Sequence, residues 1–164
     1  MLVPGACSGG QIIDEDKQKA ATGKCGAHLD DTNGRESMRE LRTVLLRHHT
    51  PAGSHFDWLL DTPKAWRNPR SRVWTARTQT SAGDWADAGT WNLSRIADHR
   101  RHYLTYRGPL SGGRGTVDRV DEGWFVPQLW DDGQMILDLT MVQCRGRVRL
   151  WCLDDPSWRA TWLG

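Results

Sequence analysis

The chain has 164 residues and a formal net charge of +2, a length that suits one domain with a tail. No run approaches the roughly 18 apolar residues of a membrane span, and the start "MLVPGACSGGQIIDEDK" lacks the basic opening and longer apolar run of a secretory signal. These observations argue against a membrane partner and for a cytoplasmic location, while so small a net charge neither demands nor excludes a polyanionic partner.

Residues 1–40 carry five basic and seven acidic side chains, a balance of −2, so the other 124 residues hold +4. That first segment has no aromatic residue and six scattered glycines, whereas all ten tryptophans follow residue 55. Too little apolar surface is available there to offset the entropy of ordering. Residues 1–38 are therefore expected to be a disordered tail, or a stretch upstream of the true start at Met38, and residues 39–164 to be the folded domain. The cysteines, Cys7, Cys25, Cys144 and Cys152, form no C-x-x-C pair and have no structural-zinc spacing. Cys144 and Cys152 read as small apolar groups in strands.

From residue 41 the chain reads as short β-branched and aromatic runs parted by turn signals. "LRTVLLRH" (41–48) and "SHFDWLL" (54–60) flank the turn Thr50-Pro51-Ala52-Gly53 and predict a hairpin. "SRVWTARTQ" (71–79) predicts the next strand. "NLSRIADHRR" (92–101) contains the one stretch compatible with a short helical turn, and "HYLTYRG" (102–108) leads as a strand into the Gly-rich "GPLSGGRG". Then follow "TVDRVDEG", "WFVPQLWDDG", "QMILDLTMV", "GRVRLWCL" and "SWRATWL", each closed by a turn signal. The expected fold is all-β and mainly antiparallel, a small closed or partly open β-barrel of about eight strands, since closure removes exposed edges.

Residues two apart on a strand share a face, so His55 and Asp57 project together while Phe56 and Trp58 face the other way. Across the hairpin, alternation lets either His48 or His49, but not both, join them. A His-His-Asp set suits Mn²⁺, Zn²⁺ or another divalent ion, with positions left for water or substrate. The same pattern also suits solvated polar strand faces, and spacing leaves both readings open.

The histidine, short turn and "HFDWLLD", followed later by "DHRRHYLTYRGPLSGGRGTV", resemble the 3′-phosphoesterase domain associated with bacterial DNA ligase D, especially its small stand-alone relatives. In that family a histidine-ending strand precedes H-x-D-x-R/M-L-E, a tryptophan strand, D-H-x-x-x-Y-x-x-x-x-G and a Gly-rich turn into G-T-V. The resemblance covers residues 41–164 and is densest in 45–61 and 98–117. It implies that His55 and Asp57 are metal ligands with Mn²⁺ as the expected ion, that His48, rather than His49, is the favoured third ligand, and that Trp74 belongs to the core. It also implies that His99 and Tyr103 stand near the scissile phosphate. Arg100, Arg101, Arg107 and Arg114, close to that block, would contact the nucleic-acid backbone.

The activity so implied is a hydrolase of DNA repair, an Mn²⁺-dependent 3′-phosphoesterase that trims a 3′-phosphate or terminal ribonucleotide from nucleic-acid 3′ ends. A DNA ligase or the end-joining machinery is the implied partner. Departures from the family pattern are Leu59 in place of an arginine, Asp61 in place of a glutamate, and a Gly-rich turn without the family's acidic and tyrosine residues. The acidic residues Asp14, Glu15 and Asp16 do not replace the family's amino-terminal arm. The alternative is a catalytically reduced, metal-binding β-barrel that serves as a nucleic-acid or protein interaction module.

Overall fold

A computed structural model describes residues 39–64, 68 and 70–164. The expectations placed on residues 1–38, including Cys7 and Cys25, lie outside the described residues. The strands are β1 (Leu41–Thr50), β2 (Gly53–Leu60), β3 (Arg72–Thr78), β4 (Thr90–Arg95), β5 (His99–Arg100), β6 (Gly108–Pro109), β7 (Thr116–Trp130), β8 (Gln134–Met141), β9 (Arg145–Asp154) and β10 (Ser157–Trp162). Eight of them close a barrel in the order β1-β2-β3-β4-β10-β9-β8-β7, with β7 returning antiparallel onto β1 from Leu41↔Phe125 to His49↔Thr116. The two short strands stand off this ring, β5 on β3 and β6 on β7. No helix among the described residues is long and apolar enough to cross a membrane.

Alternation sorts the side chains into two cores. All eight barrel strands contribute to the larger one, which therefore fills the interior. It includes Leu45, Trp58, Trp74, Trp91, Phe125, Leu137, Leu150 and Trp158. The only α-helix among the described residues, α1 (Trp85–Ala88), sets Trp85 between Trp58 and Trp91 at ring distances of 4.5 and 5.0 Å. The buried Trp58 indole N–H donates to Thr43 Oγ1 at 2.9 Å, and Thr43 donates onward to the Leu59 carbonyl, so this polar group enters the core without an unmet hydrogen bond.

The smaller core lies on the outer face of β1, β2 and β3. Val44, Leu46, Leu59 and Val73 meet Leu104 and Val117, with Tyr103, Tyr106 and Leu110 packed against them. Much of this cover comes from residues 99–115, which leave β3 as β5 and rejoin the barrel as β6. We call this segment the flap.

Three local expectations are corrected. The helical turn expected within 92–101 does not form inside it; β4 and β5 take up most of that stretch, a 3₁₀ turn begins only at Arg101, and the α-helix lies earlier, at Trp85–Ala88. The segment 102–108 is no strand, because Arg101–Leu104 forms a 3₁₀ turn. Burial of Leu104 and pairing of Arg101 with Asp61 favour that compact turn over an extended run. Finally, β7 runs unbroken through Gly123, where a turn was read. A Cβ at Gly123 would stand 2.1 Å from the Thr140 carbonyl oxygen, so the glycine permits a close strand approach rather than a reversal. Cys144 and Cys152 are free thiols packed partly against the main core.

Candidate metal centre

The Pro51-Ala52 loop pairs Thr50 with Gly53, and the ladder running back from it sets His48 directly opposite His55. Their rings lie edge to face with centroids 4.9 Å apart. Asp57, two residues along β2, shares their face. One ligand atom from each of His48, His55 and Asp57 lies within 4.8 Å of the others. His49, next along β1, points to the opposite face, where its Nε2 stands 3.4 Å from Asp118 Oδ2. The two-residue loop alone would have selected His48: stepping back two residues from Thr50 and forward two from Gly53 opposes 48 to 55.

The polar bonding of the triad is incomplete. His48 Nδ1 is 3.4 Å from Asp57 Oδ2, and His55 Nε2 is 3.4 Å from Asp57 Oδ1. Neither His55 Nε2 nor Asp57 Oδ1 has a hydrogen-bond partner among the described residues, although both are buried. Burying such atoms unpaired costs about 1–3 kcal/mol each. Proton sharing within an ion pair is a poor remedy, because burial pushes the His55 pKa down. The Asp57 carboxylate pulls the other way, but Arg77 and His48 add to the depression. The structure therefore gathers an imidazole and a carboxylate whose facing atoms lie at ion-pair distance but make no hydrogen bond among the described residues.

His48 is oriented from outside the triad. Its Nε2 lies 2.8 Å from the Arg114 carbonyl oxygen, which only accepts, so Nε2 carries a proton and, in the neutral imidazole, Nδ1 turns its lone pair toward Asp57. Gly115 makes this approach possible, with φ +97° and a would-be Cβ only 1.8 Å from the His49 carbonyl oxygen. Donor chemistry, orphaned buried atoms and this outer hydrogen bond all fit a divalent cation.

The triad adjoins a cleft of about 600 Å³ between the barrel wall and the flap, lined by His48 and Asp57 on one side and by His99, Tyr103 and Arg114 on the other. His99 sits on β5, its Nδ1 2.9 Å from the Ala97 carbonyl, which leaves Nε2 for a ligand. The Tyr103 ring rests on the outer core 5.3 Å from that of His99, and its hydroxyl makes no hydrogen bond among the described residues.

The four arginines singled out in the sequence separate. Arg100 is exposed and lines the cleft. The Arg114 guanidinium also faces the cleft region but donates to Ser111 through Nε and Nη2. Arg107 is exposed and lies outside the cleft lining. Arg101 is held by the buried Asp61 carboxylate, with contacts of 2.6 and 3.1 Å, and ties the flap to the end of β2. Leu59 is wholly buried in the outer core.

Sequence reasoning missed four residues of this region. Arg77 pairs with Asp57 across β2 and β3 and brings Nε to 3.8 Å from its Oδ1. Arg72, His102 and Tyr106 also line the cleft. Position alone hid the two arginines, whereas "HYLTY" displays two rings at helical spacing beside His102 and a turn reading would have grouped them. No family model matches the chain, and no curated protein matches it.

Proposed function

We propose that the chain is a divalent-metal phosphoesterase of DNA repair that acts on nucleic-acid 3′ ends, removing a terminal phosphate or ribonucleotide in the cytoplasm. The observation that carries this reading is the His48, His55 and Asp57 triad, with His55 Nε2 and Asp57 Oδ1 buried and without a hydrogen bond among the described residues, beside a cleft whose other wall offers His99, Tyr103 and arginines. The order of the "HFDWLLD" and "DHRRHY" blocks supports it through the family resemblance.

Mn²⁺ is the ion proposed, with Zn²⁺ as the other candidate; when bound, such an ion supplies Lewis acidity to a phosphate oxygen and lowers the pKa of bound water. His48, His55 and Asp57 would hold it. The His99 Nδ1 bond to Ala97 fixes the imidazole, and in the imidazolium form its Nε2–H is free to bond a phosphate oxygen or protonate the leaving oxygen. The Tyr103 hydroxyl, without a hydrogen-bond partner among the described residues, would donate to the same phosphate. Arg100 and Arg114 anchor the strand electrostatically, giving affinity that weakens with salt. The product is a 3′-hydroxyl end suited to a DNA ligase or the end-joining machinery.

A second reading, a metal-binding module with reduced catalysis, is favoured by Leu59, whose burial removes a phosphate-binding fork from that position. One assay separates them. Full-length protein with Mn²⁺ is given a primer-template ending in a 3′-phosphate or a terminal ribonucleotide, alongside His55→Ala. Phosphate release by the wild type and not by the variant is the expected result. Metal binding with no release by the wild type selects the module.

A further inference from the structure

The cleft holds more than the groups a phosphate needs. His102, Tyr103 and Tyr106 form a continuous ring cluster, with centroids 4.1 Å apart for His102 and Tyr103, 5.8 Å for Tyr103 and Tyr106, and 5.9 Å for His102 and Tyr106. All three rings line the cleft. Two are pinned: Tyr103 and Tyr106 pack on the outer core, and the Tyr106 hydroxyl donates to the Pro109 carbonyl. His102 differs. Its backbone carbonyl accepts bonds from Thr105 and Tyr106, yet its imidazole has no hydrogen bond or ion pair among the described residues and is exposed over the Tyr103 ring.

Charge on the same walls is largely positive. Arg72 and Arg100 oppose one another across β3 and β5, and Arg114 approaches from the flap. Of the carboxylates there, Asp98 is engaged by Arg95 and Asp57 belongs to the triad. A ligand that suits this cleft is anionic at one end and offers a flat π face at the other, which describes a nucleotide rather than a bare phosphate or sugar phosphate.

We propose that the His102–Tyr103–Tyr106 cluster is a nucleobase subsite, on which the 3′-terminal base stacks while its phosphate meets the arginines and the triad. This inference rests on the phosphoesterase reading for its placement of the terminal phosphate. Stacking uses the π face common to all bases, so the subsite recognises a base without selecting a sequence.

Binding by calorimetry tests it in chelator-treated, full-length protein, where no turnover occurs. The probes are thymidine 3′-monophosphate, the abasic 2-deoxyribose 3-phosphate and inorganic phosphate. Wild type is expected to prefer the nucleotide over the abasic probe by about tenfold, the scale of one base–aromatic stack. His102→Ala, which removes only an exposed ring, is expected to cut that preference at least threefold, and Tyr106→Phe, which keeps the ring, to preserve it. Equal affinity for nucleotide and abasic probe, or an undiminished preference in His102→Ala, overturns the subsite. Adding Mn²⁺ distinguishes the two proposals. A base preference without phosphate release supports the subsite and removes the phosphoesterase reading. Equal release from nucleotide and abasic ends removes the subsite and leaves the phosphoesterase.

Discussion

The two faces of the β1–β2 hairpin share a backbone and a register but follow different rules. Inward, Leu45, Trp58 and Leu60 are fully buried among apolar side chains, and the one indole N–H that enters there with Trp58 is satisfied by Thr43. Outward, beyond Leu46 and Leu59, the same strands bury His55 Nε2 and Asp57 Oδ1 with no hydrogen-bond partner. Adjacent residues thus differ in what they bring: Trp58 a buried ring with its N–H satisfied, Asp57 a buried carboxylate oxygen with no hydrogen bond among the described residues. Buried polar atoms left open recur at sites that take a ligand, and on this hairpin they gather on the outer face, beside the candidate metal centre.

The contrast is most directly broken by paired substitutions. Trp58→Ala is expected to destabilise the protein by about 3–5 kcal/mol through lost burial and a cavity, read from urea unfolding. Its neighbour should behave oppositely. Asp57→Asn keeps the volume and removes a buried charge, so unfolding stability should hold or rise, while affinity for Mn²⁺ measured by calorimetry falls more than about a hundredfold, beyond the 10–100-fold typical of outer-shell changes. Loss of stability in Asp57→Asn without loss of metal affinity would make the triad a structural polar cluster.

A finer comparison lies between the two adjacent histidines. His48→Ala should reduce Mn²⁺ affinity, and His49→Ala, whose ring meets Asp118 on the other face, should leave it unchanged. Arg101→Ala is expected to cost about 1–3 kcal/mol, since it strands the buried Asp61 carboxylate, and to speed amide exchange in the flap more than in the barrel. The smallest effect concerns Cys144. Burial, aided by Asp121, pushes its thiol pKa up to about 12, so at pH 8 it stays protonated and should react with iodoacetamide far more slowly in the native than in the unfolded protein.

Much of the barrel was legible because alternation and turn chemistry are local. The hairpin and the shared face of His55 and Asp57 follow from period-two patterning between recognisable turns, the eight-strand closure from the removal of exposed edges, and the buried Trp74 was expected from the family resemblance. The flap was not. Arg101–Leu104 has strand-like composition, and only contacts with Asp61 and the outer core turn it into a 3₁₀ helix. Gly123 carries the same letter as a turn glycine, and its role depends on a strand 17 residues later. Arg77 enters the site through a register set beyond the β2–β3 connection, a distance that no motif spans.

The flap's two short anchorages, β5 on β3 and β6 on β7, have a consequence for how such a protein can change. The proposed cation ligands are fixed by the barrel, whereas most of the residues that would touch the rest of a substrate belong to one contiguous insert, residues 99–115. Under the proposed reading, substitutions at its exposed cleft positions, such as His102 or Arg100, would alter what is recognised without disturbing the closure that holds the chain together. Within the flap the two demands are divided residue by residue: Arg101 and Leu104 hold it to the barrel, while its exposed positions are free to vary.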